Sequence, residues 1–431
     1  MFDIKEKPKM VERALLVGAY FDRRNLKDAQ DLLHELKELV ETLGIGVIAT
    51  ECVHVRERNP RYLTGSGKAV ELMEQAKQLN CDCIIFDNEL SPAQQRAWEQ
   101  ESKILVIDRH EVILDIFNMR ARTREARLQV ELARLEYSLP RLARMWGHLD
   151  RQGASGGSSG GSGGAARGVG EAQLEIDRRL AYKRIDKVKA ELEEVRRTRE
   201  TMRKERAKGA VPHIAIVGYT NAGKSSLLNH LTGADVLAEN KLFATLDTTT
   251  RRLELPDGQD VLLTDTVGFV RSLPHDLVQS FRATLEEALS ADFLVHVLDV
   301  SDPRHPQFFK TTTEVLQELG AGEKRIVLVL NKIDLITDTE QQHQLASNFP
   351  DAVCVSTHTG EGVDQLLNRL HSMLLDRVCR LTLLLPMNRM DLVNLAHTEG
   401  KVLAEKYTQH GVELQVVLPR QWESRFTPFL H

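Results

Sequence analysis

Short apolar runs and segments with helical spacing alternate through the first 112 residues of the chain. A short apolar run fits a buried strand, and a 3.6-residue apolar period fits an amphipathic helix. Their alternation therefore predicts a small α/β domain with a mainly parallel sheet. Ser91 followed by Pro92 is typical of a helix start. We predict strands at 14–21, 46–53, 83–86 and 104–108, and helices at 26–42, 68–79 and 92–101.

The next segment carries a coiled-coil pattern. Apolar residues recur at intervals of three and four within residues 113–150, which predicts a long helix with a kink or short break at Pro140. Residues 153–168 are nearly all Gly, Ser and Ala, typical of a flexible loop, and heptads resume over 174–207. Two such helices predict an antiparallel hairpin. The first seam is Leu128, Leu132, Leu135, Leu139, Leu142, Trp146 and Leu149; the second is Ile185, Val188, Leu192, Val195 and Met202.

The rest of the chain predicts a second α/β domain and a smaller third one, with strand candidates at 381–386 and 412–419. The predicted fold class is therefore α/β, in four parts. These are an N-terminal α/β domain (1–112), a basic helical hairpin (113–210) with its Gly/Ser-rich loop (153–168), the second α/β domain (211–377), and a small C-terminal α/β domain (378–431).

Composition supports a folded protein and places positive charge on the hairpin. Hydrophobic residues make up 42% of the 431 residues, and the formal net charge is −5, so the chain as a whole is not a basic nucleic-acid binder. Residues 120–151 nevertheless hold eight arginines against four acidic residues, and residues 177–208 hold thirteen Lys or Arg against seven acidic residues. Such a surface is either a solvated coiled-coil face or an arm that lies against RNA phosphates. Charge alone does not decide between these two interpretations.

Cysteine usage and hydropathy favour a cytoplasmic protein. The five cysteines are scattered, and the Cys81–Cys83 pair has no second pair to complete a zinc site, so we expect reduced thiols. No apolar run reaches the roughly 18–20 residues that span a bilayer. We therefore expect no stable membrane insertion, while peripheral association with a membrane stays open.

A phosphate-binding loop opens the second α/β domain. The apolar segment 213–218 runs directly into GYTNAGKS (218–225) and then into a helical segment, which is the context that the G-x-x-x-x-G-K-[ST] motif requires. The two glycines let backbone N–H groups face the phosphates, Lys224 reaches the β- and γ-phosphates, and the Ser225 hydroxyl is suited to Mg²⁺. The predicted loop residues are Gly218, Tyr219, Thr220, Asn221, Ala222, Gly223, Lys224 and Ser225.

Two further motifs follow in the order typical of guanine-nucleotide switches. In DTVG (265–268), Asp265 is the carboxylate expected near Mg²⁺, and the Gly268 N–H can sense the γ-phosphate. In NKID (331–334), the Asp334 carboxylate can accept from guanine N1–H and N2–H₂, a donor pair that adenine lacks. Lys332 can cover the base face, and Asn331 can brace the loop. The motifs together predict a GTP-hydrolysing switch in which Lys224, Thr245 and Gly268 act on the reacting phosphate.

Two loops complete the predicted site. The segment FATLDTTTR (243–251) lies where a switch hydroxyl should bind Mg²⁺ only when the γ-phosphate is present, and we favour Thr245 over its rivals, the Thr248–Thr250 run. The segment STHTG (356–360) lies where a backbone N–H should reach guanine O6. Thr357 and His358 depart from the usual Ser-Ala-Lys pattern there, but a backbone contact does not depend on those side chains.

These residues together resemble the HflX GTPases, a family of bacterial ribosome-associated proteins. The resemblance covers nearly the whole chain, including YLTGSGKAVEL (62–72), ARTREARLQVELARLEYSLPRL (121–142), GYTNAGKSSLLN (218–229) and DTVGFVRSLPHDLVQSF (265–281). It implies a monomer with an N-terminal domain and hairpin, a P-loop GTPase domain and a small C-terminal domain. It also implies binding to the large ribosomal subunit and its rRNA, and ribosome splitting, notably under stress.

The resemblance also assigns the nucleotide contacts. Ser225 and Thr245 would bind Mg²⁺. Beyond the phosphate-binding loop, the implied GTP contacts are Phe243, Ala244, Thr245, Leu246 and Asp247; Asp265, Thr266, Val267 and Gly268; Asn331, Lys332, Ile333 and Asp334; and Ser356, Thr357 and His358.

The position after Gly268 is occupied by Phe269, whereas many GTPases have a glutamine there to orient water. We therefore predict slow intrinsic hydrolysis that a partner accelerates. Asn221 resembles the loop asparagine of potassium-dependent GTPases, so K⁺ is a possible cofactor; bracing of the loop is the alternative role. Two other functions stay open: a switch that does not act on ribosomes, and an RNA-remodelling protein that uses ATP at TGSGK (64–68).

Overall fold

The computed structural model describes residues 11–141, 165–208, 211–233, 241–256, 258–272, 288–374 and 378–430. By its internal contacts the chain divides into two compact units. Among the described residues, the first unit holds residues up to Glu194 together with 241–243 and 271–272, and the second holds the rest.

The first unit contains the predicted four-stranded parallel sheet, in the order β2-β1-β3-β4. Its strands are almost fully buried in the centre, which is why they read as continuous apolar runs. The strands are β1 (Arg13–Tyr20), β2 (Gly46–His54), β3 (Cys83–Phe86) and β4 (Leu105–Asp108), and the helices between them are α1 (Leu26–Thr42), α2 (Ser66–Gln78) and α3 (Pro92–Ser102).

The predicted start of α3 is confirmed in atomic detail. The Ser91 hydroxyl accepts from the backbone N–H of Gln94, and the Gln94 side chain accepts from the backbone N–H of Ser91. This reciprocal capping box satisfies two backbone donors that the first helical turn leaves open. Pro92, which has no N–H, occupies the first helical position.

The single long helix predicted over 113–150 is wrong in its bounds. The chain forms α4 (Arg109–Arg120) and then α5 (Arg124–Ser138), because Ala121 is extended and the Thr123 hydroxyl caps a new helix. The predicted break at Pro140 is confirmed by the 3-10 helix Leu139–Arg141. The seam residues Leu142, Trp146 and Leu149 lie outside the described residues.

The second arm of the hairpin is α6 (Ala165–Lys208). It begins earlier than predicted, so residues 165–168 are helical rather than loop, while residues 153–164 lie outside the described part. Ion pairs join Glu131 to Arg184 and Arg124 to Glu191. Residues later in α5 therefore contact residues earlier in α6. The hairpin is therefore antiparallel, as predicted, and the seam residues Ile185 and Val188 are buried.

The second unit is built on a six-stranded sheet in the order β10-β9-β8-β5-β7-β6. All of its pairings are parallel except that of β6 with β7. The strands are β5 (His213–Gly218), β6 (Thr249–Glu254), β7 (Asp260–Asp265), β8 (Phe293–Asp299), β9 (Ile326–Asn331) and β10 (Val353–Val355), and the helices are α7 (Lys224–Thr232), α8 (His305–Glu318), α9 (Thr339–Asn348) and α10 (Val363–Leu374).

The C-terminal part of this unit is a three-stranded antiparallel sheet in the order β11-β13-β12, covered by a helix. Two strands were predicted and one was missed, because most of β12 is exposed or half-buried and its sequence lacks a clean apolar alternation. The elements are β11 (Val378–Leu385), α11 (Met390–Glu399), β12 (Lys401–Thr408), β13 (Gly411–Pro419) and α12 (Glu423–Phe426).

Candidate nucleotide-binding and hydrolysis site

The phosphate-binding loop joins the carboxyl end of β5 to the start of α7, and two of its positions require glycine. Gly218 has φ +149°, and an added Cβ would lie 2.3 Å from the carbonyl oxygen of Val297. Gly223 has φ +94°, and its added Cβ would lie 2.2 Å from Nδ2 of Asn331. Any larger residue would push the loop away from its neighbours. The loop backbone is thus held at the start of a helix, where N–H groups point at an anion.

Lys224 is the buried cation of this loop. Its Nζ donates to the carbonyl oxygen of Tyr219 at 2.7 Å. Burial lowers the pKa of Lys224 to about 8, although the nearby Asp265 carboxylate acts in the opposite direction. A buried ammonium group that is short of negative charge favours an anionic ligand, which suits the phosphate role predicted for it.

Three predicted Mg²⁺-site residues meet within hydrogen-bond distance. The Ser225 hydroxyl donates to Asp265 Oδ2 at 2.6 Å and lies 2.8 Å from Thr245 Oγ1. Burial raises the pKa of Asp265 despite Lys224 and the hydroxyl donors, and its Oδ1 has no hydrogen-bond partner among the described residues. Hydroxyl and carboxylate oxygens are the hard donors that Mg²⁺ prefers. The cluster has two hydroxyls and one carboxylate, and the nearby groups do not fully compensate the negative charge of that carboxylate. The residues present therefore fit this ion.

Two of the three rival threonines, Thr249 and Thr250, belong to β6. Thr250 Oγ1 lies 2.8 Å from Thr264 Oγ1, so it joins β6 to β7. Thr249 is the first residue of β6 and pairs with Asp265 along the backbone. Thr245, which the sequence favoured, has its hydroxyl 2.8 Å from that of Ser225.

The segment after Asp265 lies along the phosphate-binding loop. The Thr220 N–H donates to the Phe269 carbonyl at 2.8 Å, and the Phe269 N–H donates to the Gly218 carbonyl at 3.1 Å. The Phe269 side chain is 1% exposed. This ring is apolar, whereas many GTPases have a glutamine at this position, so it has no donor or acceptor with which to orient water. An added Cβ on Gly268 would lie 2.8 Å from Lys224 Nζ, so this backbone lies beside the lysine that the sequence predicts to contact the phosphates.

Asn331 ties together the loops expected to hold the base. Its Nδ2 donates to the Ala222 carbonyl at 2.8 Å, and its Oδ1 accepts from the Thr357 N–H at 3.2 Å. The Ser356 hydroxyl donates to Asp334 Oδ1 at 2.6 Å, which orients the carboxylate predicted to read guanine. The bracing role that the sequence suggested for Asn331 therefore has two specific hydrogen bonds behind it.

One residue of this site was missed from the sequence. Asp299 ends β8, and its Oδ2 accepts from Lys332 Nζ at 2.6 Å. This ion pair orients the lysine that is expected to cover the base. The available signal was an acidic residue at the carboxyl end of a buried parallel strand, the edge where ligands bind in such sheets.

The remaining predicted residues differ in their surroundings. Tyr219 stacks on Phe308 with ring centroids 4.1 Å apart, and the Thr266 hydroxyl donates to the Ile216 carbonyl at 2.7 Å. Asn221 is exposed with φ +61°, a left-handed conformation that asparagine tolerates. His358 is also exposed. Ala222, Leu246 and Val267 are buried, while Ala244, Asp247, Lys332, Ile333 and Thr357 are half-buried.

The first unit includes residues that directly adjoin the predicted switch positions. The Phe243 ring packs edge-to-face on Phe117 with centroids 4.7 Å apart. Arg271 donates from Nη1 to Asp28 at 2.7 Å, and its carbonyl accepts from Arg109 Nη2 at 3.1 Å. Arg109 is itself buried and paired with Glu35 and Asp87.

These features define a P-loop GTPase. They are the sheet topology, the phosphate-binding loop, the cluster of Ser225, Thr245 and Asp265, and the Asn331–Asp334 loop. Family profiles agree: the profile described as "GTP-binding GTPase N-terminal" matches residues 30–118, and "GTP-binding GTPase Middle Region" matches 120–206. The profile "50S ribosome-binding GTPase" matches residues 213–332, and "HflX C-terminal domain" matches 341–424.

Curated relatives give the particular family. The chain is 53% identical to a GTPase HflX of Akkermansia muciniphila over 100% of this chain and 99% of that protein. It is 43% identical to a GTPase HflX of Escherichia coli over 95% of this chain and 94% of that one. The chain belongs to the HflX family of GTPases, and GTP and GDP are its nucleotides.

The chain also resembles a solved structure. A GTP-binding protein from Sulfolobus solfataricus in complex with GDP is 23% identical over 84% of this chain and 98% of that chain, with a TM-score of 0.44. Among the described residues, no helix has the length and apolar character needed to cross a membrane.

Proposed function

We propose that this GTPase binds the large ribosomal subunit in its GTP-bound state and acts as a ribosome-splitting or recycling factor, notably under stress. The observation that carries the proposal is the pairing of a GTPase domain matched by the 50S ribosome-binding profile with a long basic hairpin. Positive charge on an extended arm favours contact with rRNA phosphates. Such a partner implies a cytoplasmic site of action.

The proposed chemistry is Mg²⁺-dependent hydrolysis of GTP with water to GDP and phosphate. Ser225 and Thr245 would hold the ion, with Asp265 acting on it through water. Lys224 would neutralise charge on the β- and γ-phosphates, and the Gly268 N–H would contact the γ-phosphate. When bound, Mg²⁺ supplies positive charge that stabilises the transferred phosphoryl group. The remaining nucleotide contacts predicted from the sequence are part of this proposal.

Hydrolysis without a partner should be slow, because Phe269 supplies no group that can position water. A potassium ion held near Asn221 would add positive charge beside the β- and γ-phosphates. Turnover should then be faster in K⁺ than in Na⁺ at equal ionic strength. Equal turnover in the two salts would remove K⁺ from the proposal and leave Asn221 a loop-shaping role.

The predicted switch residues Thr245 and Gly268 would be coupled to the first unit through residues close to them in the sequence. Thr245 lies two residues from Phe243, and Gly268 lies three residues from Arg271. Within the first unit, Phe243 contacts Phe117, and Arg271 contacts Asp28 and Arg109. Mg²⁺ and GTP would draw Thr245 and Gly268 onto the phosphates, and release after hydrolysis would relax these contacts.

The test is splitting of intact ribosomes followed by light scattering, with GTP, a non-hydrolysable GTP analogue or GDP, and with Lys224→Ala as the control. We expect splitting with GTP and the analogue, and little with GDP or the variant. Binding to large subunits should weaken steeply with salt. Intact ribosomes in every nucleotide state would contradict the proposal and favour a switch that acts elsewhere.

A further inference from the structure

The C-terminal domain contacts the strand pair that joins the two switch regions. β6 and β7 form an antiparallel hairpin whose pairs run from Thr249↔Asp265 at one end to Glu254↔Asp260 at the other. The first end lies beside the candidate Mg²⁺ site, since Thr245 precedes β6 by four residues and Asp265 ends β7. The second end is roughly 17 Å away, at the usual rise of an extended strand.

Among the described residues, no strand of the sheet pairs with the outer sides of the hairpin at this distant end. β6 is the edge strand, and the β5–β7 pairing begins at Leu262, so Asp260 lies beyond it. A two-stranded ribbon that projects past its sheet can tilt or twist more easily than a central strand. The position of this end therefore depends on what else contacts it.

Lys401 makes that contact from the C-terminal domain. Its Nζ donates to Glu254 Oε1 at 3.0 Å and to Asp260 Oδ1 at 3.2 Å, so one ammonium group bridges both strands of the hairpin. Arg252 pairs with the other oxygen of Asp260. The Asp260 side chain is 8% exposed. Removal of its cations would leave a buried charge poorly compensated.

The tip of the hairpin is also covered. Gly258 has φ +83°, and an added Cβ there would lie 2.9 Å from Cδ2 of Leu403. Lys401 itself is firmly placed, because it begins β12 directly after Gly400. An added Cβ on Gly400 would lie 2.7 Å from the Val417 carbonyl oxygen and 2.6 Å from Leu418 Cδ2. Lys401 thus projects from a closely packed corner between α11 and β12.

We propose that Lys401 is a positioning residue for GTP hydrolysis, through which the C-terminal domain fixes the β6–β7 hairpin and so the meeting of Thr245 with Ser225 and Asp265. The inference rests on the Mg²⁺ ligands assigned under the proposed function. It gives the C-terminal domain a role in the nucleotide cycle. Movement at Glu254 and Asp260 is transmitted along two paired strands, because a hydrogen-bonded ribbon tilts as one body.

The test is single-turnover GTP hydrolysis by the full chain across a Mg²⁺ titration. Lys401→Met removes the charge and keeps a side chain of similar length. Lys401→Arg keeps the charge, and Lys406→Met, at an exposed position of the same strand, is the matched control. Lys401→Met should lower the rate by about threefold to thirtyfold and raise the Mg²⁺ concentration needed, with Kd for GTP unchanged. Lys401→Arg and Lys406→Met should resemble wild type.

A merely structural ion pair would give a different result. If Lys401→Met lowers the melting temperature but keeps the wild-type rate and Mg²⁺ requirement, the inference is wrong. Should that variant not fold, Glu254→Gln, at a largely exposed carboxylate, removes one partner of Lys401 and should shift the rate and Mg²⁺ requirement in the same direction; wild-type behaviour would overturn the inference. If the hydrolysis rate of the wild-type chain does not depend on Mg²⁺, the proposed function itself is contradicted.

Discussion

At the scale of single residues, the candidate site depends on side chains that hold several loops at once. Asn331 connects the phosphate-binding loop to the loop at Thr357, and Ser356 orients Asp334. A short side chain with both a donor and an acceptor can do this only at one geometry. The proposed guanine recognition would therefore depend on these hydrogen bonds as well as on Asp334 itself.

The Asp334 carboxylate gives the first prediction. Asp334→Asn replaces an acceptor oxygen with amide hydrogens, which face the N1–H and N2–H₂ donors of guanine. GTP affinity should fall by about tenfold to a hundredfold, because buried donors are left unpaired. Affinity for xanthosine triphosphate, whose base has a carbonyl in place of the amine, should rise. Competition binding with both nucleotides measures the change, and unaltered preference for GTP would contradict the assignment.

His296 gives a prediction about stability. Burial in β8, with a smaller effect of the Lys224 charge, lowers the pKa of His296 to about 3 from 6.5. Between these pH values the unfolded chain binds a proton that the folded chain does not, so the free energy of unfolding falls as pH falls below 6.5. The loss from this residue should reach about 2 kcal/mol at pH 5.

The measurement is denaturant unfolding at pH 7.5 and pH 5 for wild type, His296→Phe and His343→Gln. His343 is exposed on α9 and is the control. The difference between the two pH values should shrink in His296→Phe and persist in His343→Gln. An unchanged difference in His296→Phe would show that other groups set the acid sensitivity.

Single residues could be predicted where a motif requires particular flanking elements. The phosphate-binding loop lies between β5 and α7 as predicted. Sequence reasoning missed Asp299, because the sequence alone does not show that β8 and β9 are neighbours, which is what brings Asp299 to Lys332. The partners of Arg109 were likewise invisible, since Glu35 and Asp87 are brought to it by the packing of separate elements.

At the scale of elements, apolar strands were the most reliable signal. Strands buried on both faces, such as β1 and β3, appear as continuous apolar runs. β12 was missed because it is an edge strand whose residues are all exposed or half-buried. The break between α4 and α5 was missed because the helical period continues past Thr123, and only its cap marks the new start.

The segment before β6 gives the element-scale prediction. Thr245→Ala should slow Mg²⁺-dependent hydrolysis by about tenfold to a hundredfold, because a ligand that arrives with the γ-phosphate is lost. Thr249→Ala, at the first position of β6, should stay near wild type. Single-turnover rates at saturating GTP measure this. A normal rate for Thr245→Ala with a slow Thr249→Ala would move the ligand to the other threonine.

At the scale of the whole molecule, the α/β class, the hairpin and the GTPase family were all predictable, because they depend on long patterns and on motifs in fixed order. The division of the chain into two compact units was not. Two short segments, residues 241–243 and 271–272, belong to the first unit although neighbouring parts of the chain belong to the second. Local periodicity carries no information about which unit such short segments join.

The most direct test of the account is GTP turnover in K⁺ buffer with and without large ribosomal subunits, using Lys224→Ala as the control. Slow basal hydrolysis is expected because Phe269 cannot position water, and a ribosomal partner should supply what the site lacks. We predict stimulation of more than about tenfold by large subunits, abolished in Lys224→Ala. Turnover that large subunits leave unchanged would contradict the claim that this chain is a ribosome-activated GTPase.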